Sequence, residues 1–114
     1  MKGTHLGEFE ELILLIVGVL YPDAYGLSIR SEVISQTNRS VAIGAVHSAL
    51  SRLEQKGFLT SNLADATNER GGRRKKLFTI TAAGQRAVQT SRELRNSLWE
   101  QIPEIALKGL SYGI

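Results

Sequence analysis

The chain has 114 residues, a formal net charge of +3 and no cysteine. That length fits one domain, with room for a few helices and a small sheet but not for a separate catalytic domain. The missing cysteine excludes disulfides, thiolate chemistry and Cys-ligated metal.

Charge is distributed unevenly. Residues 39–76 hold eight cations against three anions, a net +5, which leaves −2 for the rest. A basic middle on a slightly acidic frame is the footprint expected of a polyanion partner. A solvated basic loop would have the same composition. The place of the cations, at a hairpin tip after a helix, favours the partner.

In chain order, a first helix is expected from Leu6 or Gly7. Glu8, Glu10 and Glu11 lie in its first turns, where the positive end of the helix dipole favours anions. Leu6, Phe9, Leu12, Ile13, Ile16, Val17 and Leu20 form a stripe wide enough to be covered on more than one side. The run Leu12–Leu20 falls short of the roughly 20 residues of a membrane-spanning helix. Glutamates precede it where a signal peptide carries cations. No membrane partner and no targeting segment is therefore expected, and a reducing, cytoplasmic location is compatible with the absence of cysteine. Tyr21-Pro22-Asp23 ends this helix.

A second helix is expected from Tyr25-Gly26 to about Thr37, with Ile29 and Val33 toward the core, one turn apart. Arg30 and Glu32 are expected to face outward, and Asn38 or Arg39 closes the helix. Ser40-Val41-Ala42 reads as a short extended link and a candidate third, minor strand.

The third helix runs from about Ile43 to Lys56. Val46, Ala49, Leu50 and Leu53 follow the i, i+3, i+4, i+7 pattern of one apolar face. Ala42 is a weak N-cap, where Ser, Thr or Asp is preferred. Gly57 suits the left-handed position that ends a helix. The opposite face carries Ala45, Ser48, Ser51, Arg52 and Gln55, small or polar with one long cation. Such a face fits the DNA major groove, about 12 Å wide, without steric conflict.

Two strands, Phe58–Leu63 and Leu77–Ile80, are rich in Phe, Thr, Ile and Leu. Their alternation alone leaves open which face is buried. The loop between them, residues 64–76, carries Arg70, Arg73, Arg74, Lys75 and Lys76 around Gly71-Gly72. That glycine pair lacks the spacing and the following helix of a phosphate-cradling loop. It reads as the turn of a wing. Helix, strand, cationic loop and strand together predict a winged helix-turn-helix.

Thr81 is the expected N-cap of a long last helix with Gly84 in its first turn. Ala87, Ser91, Leu94, Leu98 and Ile102 continue at spacings of three and four, like a heptad seam. Pro103 interrupts it, and an apolar pattern returns at Ile105, Leu107 and Leu110.

The segments LGEFEELILLIVGVL, DAYGLSI, VAIGAVHSALSRLEQKGFL and ERGGRRKKLFTITAAG together resemble the PadR family of winged-helix transcriptional regulators, in the family's order and spacing, over about Leu6 to Val88. The combination is specific, although each piece alone is weak. The resemblance implies an α+β fold: a three-helix core with a β-hairpin wing and a long C-terminal dimerisation helix, as in the short branch of the family. The expected division is a DNA-binding unit over residues 1–81 and a dimerisation helix and tail over 82–114, packed as one compact body. The resemblance further implies a homodimer whose last helix exchanges contacts across the two-fold. It implies binding to a double-stranded DNA operator, usually as a repressor, and release by a small-molecule effector or other signal. At one position the chain departs from the family, which usually carries Tyr where this sequence has His47. An imidazole there still donates a hydrogen bond.

The expected DNA-facing residues are Arg39, Ser40, Ala45, His47, Ser48, Ser51 and Arg52 of the link and third helix, with Arg70, Arg73, Arg74 and Lys75 of the wing. The wing cations would meet backbone phosphates or a minor groove. Arg52 has an equal claim to a structural pairing with an acid of its own helix. Leu94, Leu98, Trp99 and Ile102 are the expected dimer interface. Trp99 reads first as interface packing; the sharper reading makes it the wall of an effector pocket between subunits. His47 has no partner cluster for a metal, and no cofactor is expected. The sequence shows no Ser-His-Asp pattern, no zinc-type His pair and no plausible pair of buried carboxylates, so an enzyme is not expected. A winged helix serving only as a protein-interaction module is the remaining alternative, and it would not need the wing-tip cations.

Overall fold

The computed structural model describes residues 5–64 and 74–111. Among them run α1 (Glu8–Leu20), α2 (Gly26–Thr37), α3 (Ile43–Gln55), β1 (Leu59–Leu63), β2 (Lys76–Ile80), α4 (Ala82–Gln101) and α5 (Glu104–Ser111). The α+β winged-helix expectation holds, and most element ends fall within a residue or two of their expected places.

Local chemistry explains the ends. The Gly7 N–H donates to the Glu10 carboxylate at 3.1 Å, satisfying one free donor of the first turn of α1. At α2 the Tyr25 N–H donates to Ser28 Oγ at 3.0 Å, and the Ser28 hydroxyl donates back to the Asp23 carbonyl at 2.8 Å. Asn38 closes α2 in the left-handed region, at φ 59°. Gly57, at φ 80°, turns the chain from α3 into the hairpin. Ala42 provides no side-chain cap, in keeping with its type.

The core is the meeting of the apolar stripes of α1, α2 and α3. Ile13, Leu14, Val17, Ile29, Val33, Val46, Leu50 and Leu53 are its largest fully buried side chains. Phe58, Leu59 and Phe78 close it from the hairpin side. In β1 the side toward the core begins at Leu59, and Thr60 and Asn62 face solvent. The strands pair antiparallel, with Leu59 opposite Ile80 and Ser61 opposite Phe78.

The expected third strand at Ser40–Ala42 does not form, and the described sheet has two strands. The Val41 carbonyl is taken by Arg30 Nε at 2.6 Å, and the Val41 side chain is buried. Arg30, expected to face outward, thus ties α2 to the link. The extra backbone partner of β2 is instead Ala24, whose carbonyl accepts from the Phe78 N–H at 2.8 Å.

Thr81 anchors α4 from both ends of its hydroxyl. Oγ1 accepts from the Gly84 N–H at 3.0 Å and donates to the Gly57 carbonyl at 2.7 Å. Gly84 sits so close to the α3–β1 corner that a Cβ there would lie 2.2 Å from the Phe58 carbonyl oxygen. Only the first turns of α4 reach the core, through Gly84 and Val88. Beyond Ser91 every described side chain is exposed except Leu107. The radius of gyration is 17.6 Å, against about 13 Å for a compact chain of about 100 residues. The difference is the α4–α5 arm leaving the body. Pro103 separates the two helices of that arm, as its missing N–H requires.

Candidate nucleic-acid interface

On α3 the buried side faces α1 and α2. Gly44, Ala45, His47, Ser48, Ser51, Arg52 and Gln55 are exposed. A cleft of about 680 Å³ lies between this face, the N-terminus of α2 and β2. His47 and Ser51 line it from α3, Tyr25 and Gly26 from α2, and Arg74, Lys75 and Lys76 from the wing. His47 lies across the start of α2. A Cβ on Gly26 would fall 2.7 Å from its Cε1, so the glycine makes room for the imidazole.

The described part of the wing is held in shape by its own backbone. The Ala64 N–H donates to the Lys75 carbonyl at 2.8 Å, and Arg74 Nε donates to the Ala64 carbonyl at 2.8 Å. Lys75 Nζ stands 4.5 Å from the centre of the Tyr25 ring, a cation–π approach that spans wing and α2. Glu54, on α3, accepts from Ser61 Oγ at 2.5 Å and lies 3.4 Å from Lys76 Nζ, which fixes the hairpin against the helix. Arg70, Arg73 and the Gly71-Gly72 pair lie outside the described residues.

Of the sequence-selected residues, His47, Ser51, Arg74 and Lys75 meet around this cleft, and Ala45 and Ser48 share the exposed face of α3. Ser40 is exposed on the link. Two arginines are turned elsewhere. Arg39 pairs with Glu8 at 2.7 Å and its guanidinium lies 5.6 Å from the centre of the Phe9 ring. Arg52 is paired not with an acid of its own helix but with Glu10 of α1, at 2.8 Å. Leu94, Leu98, Trp99 and Ile102 are all exposed on the arm.

Sequence reasoning missed Glu10. It is 6 % exposed and accepts from Arg52, from Lys56 at 2.7 Å and from the Gly7 N–H. Burial pushes its carboxyl up, but the hydrogen bonds from Lys56 and Arg52 outweigh that and bring it down from 4.5 to about 2. A signal was present: Glu10 lies three residues before Ile13 and seven before Val17, on the buried stripe. Exposed Glu8 is also lowered, chiefly by its hydrogen bonds from Arg39. Tyr25 and Glu54 carried no sequence signal for the cleft, because their wing partners are distant in the chain.

Three packed helices followed by a β-hairpin with basic residues beside the third helix define a winged helix-turn-helix. Residues 13–90 match the family model described as the transcriptional regulator PadR-like family, and the chain belongs to that family. Solved structures are similar in fold. A PadR family transcription regulator from Clostridium difficile is 21 % identical with a TM-score of 0.65, covering 82 % of this chain and 93 % of that one. A PadR-like transcription factor from Bacteroides fragilis is 22 % identical with a TM-score of 0.67, covering 81 % and 84 %. The hsRosR-S1 chain, solved as a complex, is 21 % identical with a TM-score of 0.71, covering 98 % and 92 %. Among curated proteins, none matches the chain. Among the described residues no group of side chains is suited to a metal ion, and no helix is long and apolar enough to cross a membrane.

Proposed function

We propose that the chain is a homodimeric repressor that binds a double-stranded DNA operator and is released by a small-molecule effector. Family membership makes it a transcriptional regulator. The observation that carries the DNA reading is the concave face shared by His47 and Ser51 of α3 with Arg74 and Lys75 of the wing. Small side chains at Ala45, Ser48 and Ser51 let α3 enter a major groove, and the wing cations neutralise flanking phosphates. Arg70 and Arg73 would add to the same wing. His47 would donate to phosphate or a base edge. Arg52 is assigned to holding α3 rather than to phosphate, because a buried carboxylate already binds its guanidinium.

One recognition helix covers few base pairs, so two copies are needed, with their helices roughly 34 Å apart on a near-palindromic site. Support comes from the apolar arm: Leu98 is 53 % exposed and Trp99 63 %. It also comes from a groove of about 570 Å³ between α1 and α4, lined by Leu14, Leu15 and Val88 among others. The arm of a second copy is the occupant that would cover Leu94, Leu98, Trp99 and Ile102. An effector would enter beside Trp99 in that interface.

The test is a gel shift against duplexes selected by the protein from a randomised pool, repeated across a salt series, with sedimentation in parallel. A steep salt dependence and a two-subunit stoichiometry are expected. Failure to select any duplex would favour the protein-interaction module. In a folded protein, Ser48→Glu should abolish binding by facing DNA with a carboxylate; retained affinity would mean that another face of α3 is used.

A further inference from the structure

The glutamates of the first turns of α1 do more than meet the helix dipole. Between them they reach the α2–α3 link, α3 and α4, with Arg95 of α4 near enough to act on Glu8 as well as Glu11. Glu8 holds Arg39 of the α2–α3 link at 2.7 Å. Glu10 holds Arg52 of the third helix and Lys56 at its C-cap, at 2.8 and 2.7 Å. Glu11 accepts from Ser91 Oγ of α4 at 3.1 Å and lies 3.7 Å from Arg95 Nε. Glu10 and Glu11 are neighbours in sequence, so the third helix and α4 are fastened to adjacent positions, with Cα atoms about 3.8 Å apart, on one short helix.

The two grips differ in strength. The Glu10 side chain is 8 % exposed and accepts from three donors, so α1 and α3 are tied through a buried, fully paired carboxylate. The Glu11 side chain is 15 % exposed, and its cation Arg95 is 65 % exposed at a longer distance. An ion pair that open to water is weak. Beyond it, α4 has no further described hold on the body except through Gly84, Val88 and their neighbours near its start. The Glu11 contact is therefore the joint most able to give when α4 moves, while the Glu10 contact transmits whatever α1 then does to α3.

We propose that the first turn of α1 is the coupler between the C-terminal arm and the DNA-reading helix, with Glu11 and Arg95 as the yielding grip on α4 and Glu10 as the positioning residue of α3. This rests on the operator-binding reading above. The coupler sets the angle between arm and reading helix, and with it the register of two reading helices on their half-sites. A ligand or partner that displaces α4 acts on DNA binding by opening the Glu11–Arg95 contact. Two sites are linked in this way only if a discrete element has two arrangements that both sites bias, and the joint at Glu11 is that element.

The chain has no cysteine, so cysteines placed at exposed Gln55 on α3 and Ser97 on α4 carry the only two spin labels. Labelled chains are diluted with an excess of unlabelled chain, so that the distance read is within one protomer. Glu11→Ala and Arg95→Ala are measured beside the parent and beside Glu32→Gln, which changes a carboxylate of α2 that accepts from Gln36 of its own helix. A single narrow distance is expected for the parent and for Glu32→Gln. Both joint variants should give a broad or double distribution, and the same substitutions in the unlabelled, cysteine-free chain should lose about tenfold in affinity for the selected duplex, within the usual range of coupling free energies. Arg95 is exposed on the arm, so its variant keeps the core folded even if Glu11→Ala does not. A distribution as narrow as the parent's in folded Arg95→Ala overturns the coupler. So does a broadened distribution with undiminished affinity. A parent that selects no duplex overturns the DNA reading instead, and the distance measurement still decides whether Glu11 locks α4.

Discussion

The winged-helix body and the C-terminal arm carry the same kind of sequence signal and reach opposite ends. In α1, α2 and α3 the apolar stripes close on one another, and Ile13, Ile29, Val46 and Leu53 are wholly buried. In α4 the stripe begins in the core at Gly84 and Val88 and then continues, at unchanged helical spacing, into solvent. Leu94, Leu98 and Trp99 remain more than half exposed. The body satisfies its stripes internally, whereas the arm leaves its stripe exposed in a single copy of the chain. An exposed apolar stripe of this extent on an ordered helix marks an interaction surface.

The comparison breaks most sharply at Leu98. Leu98→Glu should dissociate the proposed dimer and lower affinity for the selected duplex by on the order of 10²- to 10⁴-fold, the usual gain from linking two binding modules. The thermal transition of the winged-helix body should stay cooperative. Sedimentation and a gel shift together check this, and a parent that is already monomeric at micromolar concentration would remove the two-fold model and the effector pocket at Trp99.

The body should break instead at Glu10. Replacing one partner of a buried ion pair strands the others, so Glu10→Gln should lose about 3 kcal/mol at neutral pH. The folded carboxyl lies near 2 against 4.5 when unperturbed. Its contribution is therefore complete above about 4.5 and fades as pH falls toward 2. Denaturant titrations of parent and variant should converge over that window; a difference that stays constant with pH would mean that the ionised carboxylate is not what stabilises α1 against α3.

Gly84 marks the boundary of the two regions, and Gly84→Ala should sharpen it. The added methyl would overlap the Phe58 carbonyl, which no rotamer change relieves, and about 2 kcal/mol of stability should be lost. Gly18, with open space where its Cβ would stand, is the control: Gly18→Ala in the last turn of α1 should leave the unfolding midpoint unchanged or raise it.

The smallest effects belong to the wing. Arg74→Ala and Lys75→Ala should each weaken binding to all duplexes alike and lower the slope of log affinity against log salt by about 1. Unfolding should stay cooperative, with at most the small loss that follows from the Arg74–Ala64 and Lys75–Tyr25 contacts. An unchanged slope in both would take the described part of the wing out of the interface.

How much of this was legible beforehand follows from chain separation. Helix starts and stops were readable because their causes are local: Asn38 takes φ 59°, Gly57 takes φ 80°, and Thr81 caps Gly84 three residues on. The apolar faces of α1 to α3 were readable from periodicity, and the basic hairpin from composition. The four segments that point to the family lie within or overlap the span that its model matches, residues 13–90. What periodicity reported wrongly was the environment. It put Arg30 in solvent, while the dipole argument for Glu10 gave no sign of its burial and the extended link at Val41 was offered to a sheet that it does not join.

Those outcomes were decided by groups that meet only in the folded chain. Arg52 and Glu10 are 42 residues apart, Arg39 and Glu8 31 apart, and Ser91 and Glu11 80 apart. A cation in sequence is an unassigned charge. Whether it faces a carboxylate or remains available to phosphate depends on which helix packs beside it. By itself the sequence determined the elements, their caps and the winged-helix order, because hydrogen-bond geometry and side-chain periodicity act over a few residues. Only the tertiary structure decided which arginines are already paired, which backbone joins β2 at Ala24, and that the α4 stripe finds no cover among the described residues, because burial and ion pairing are properties of neighbours that local sequence does not name.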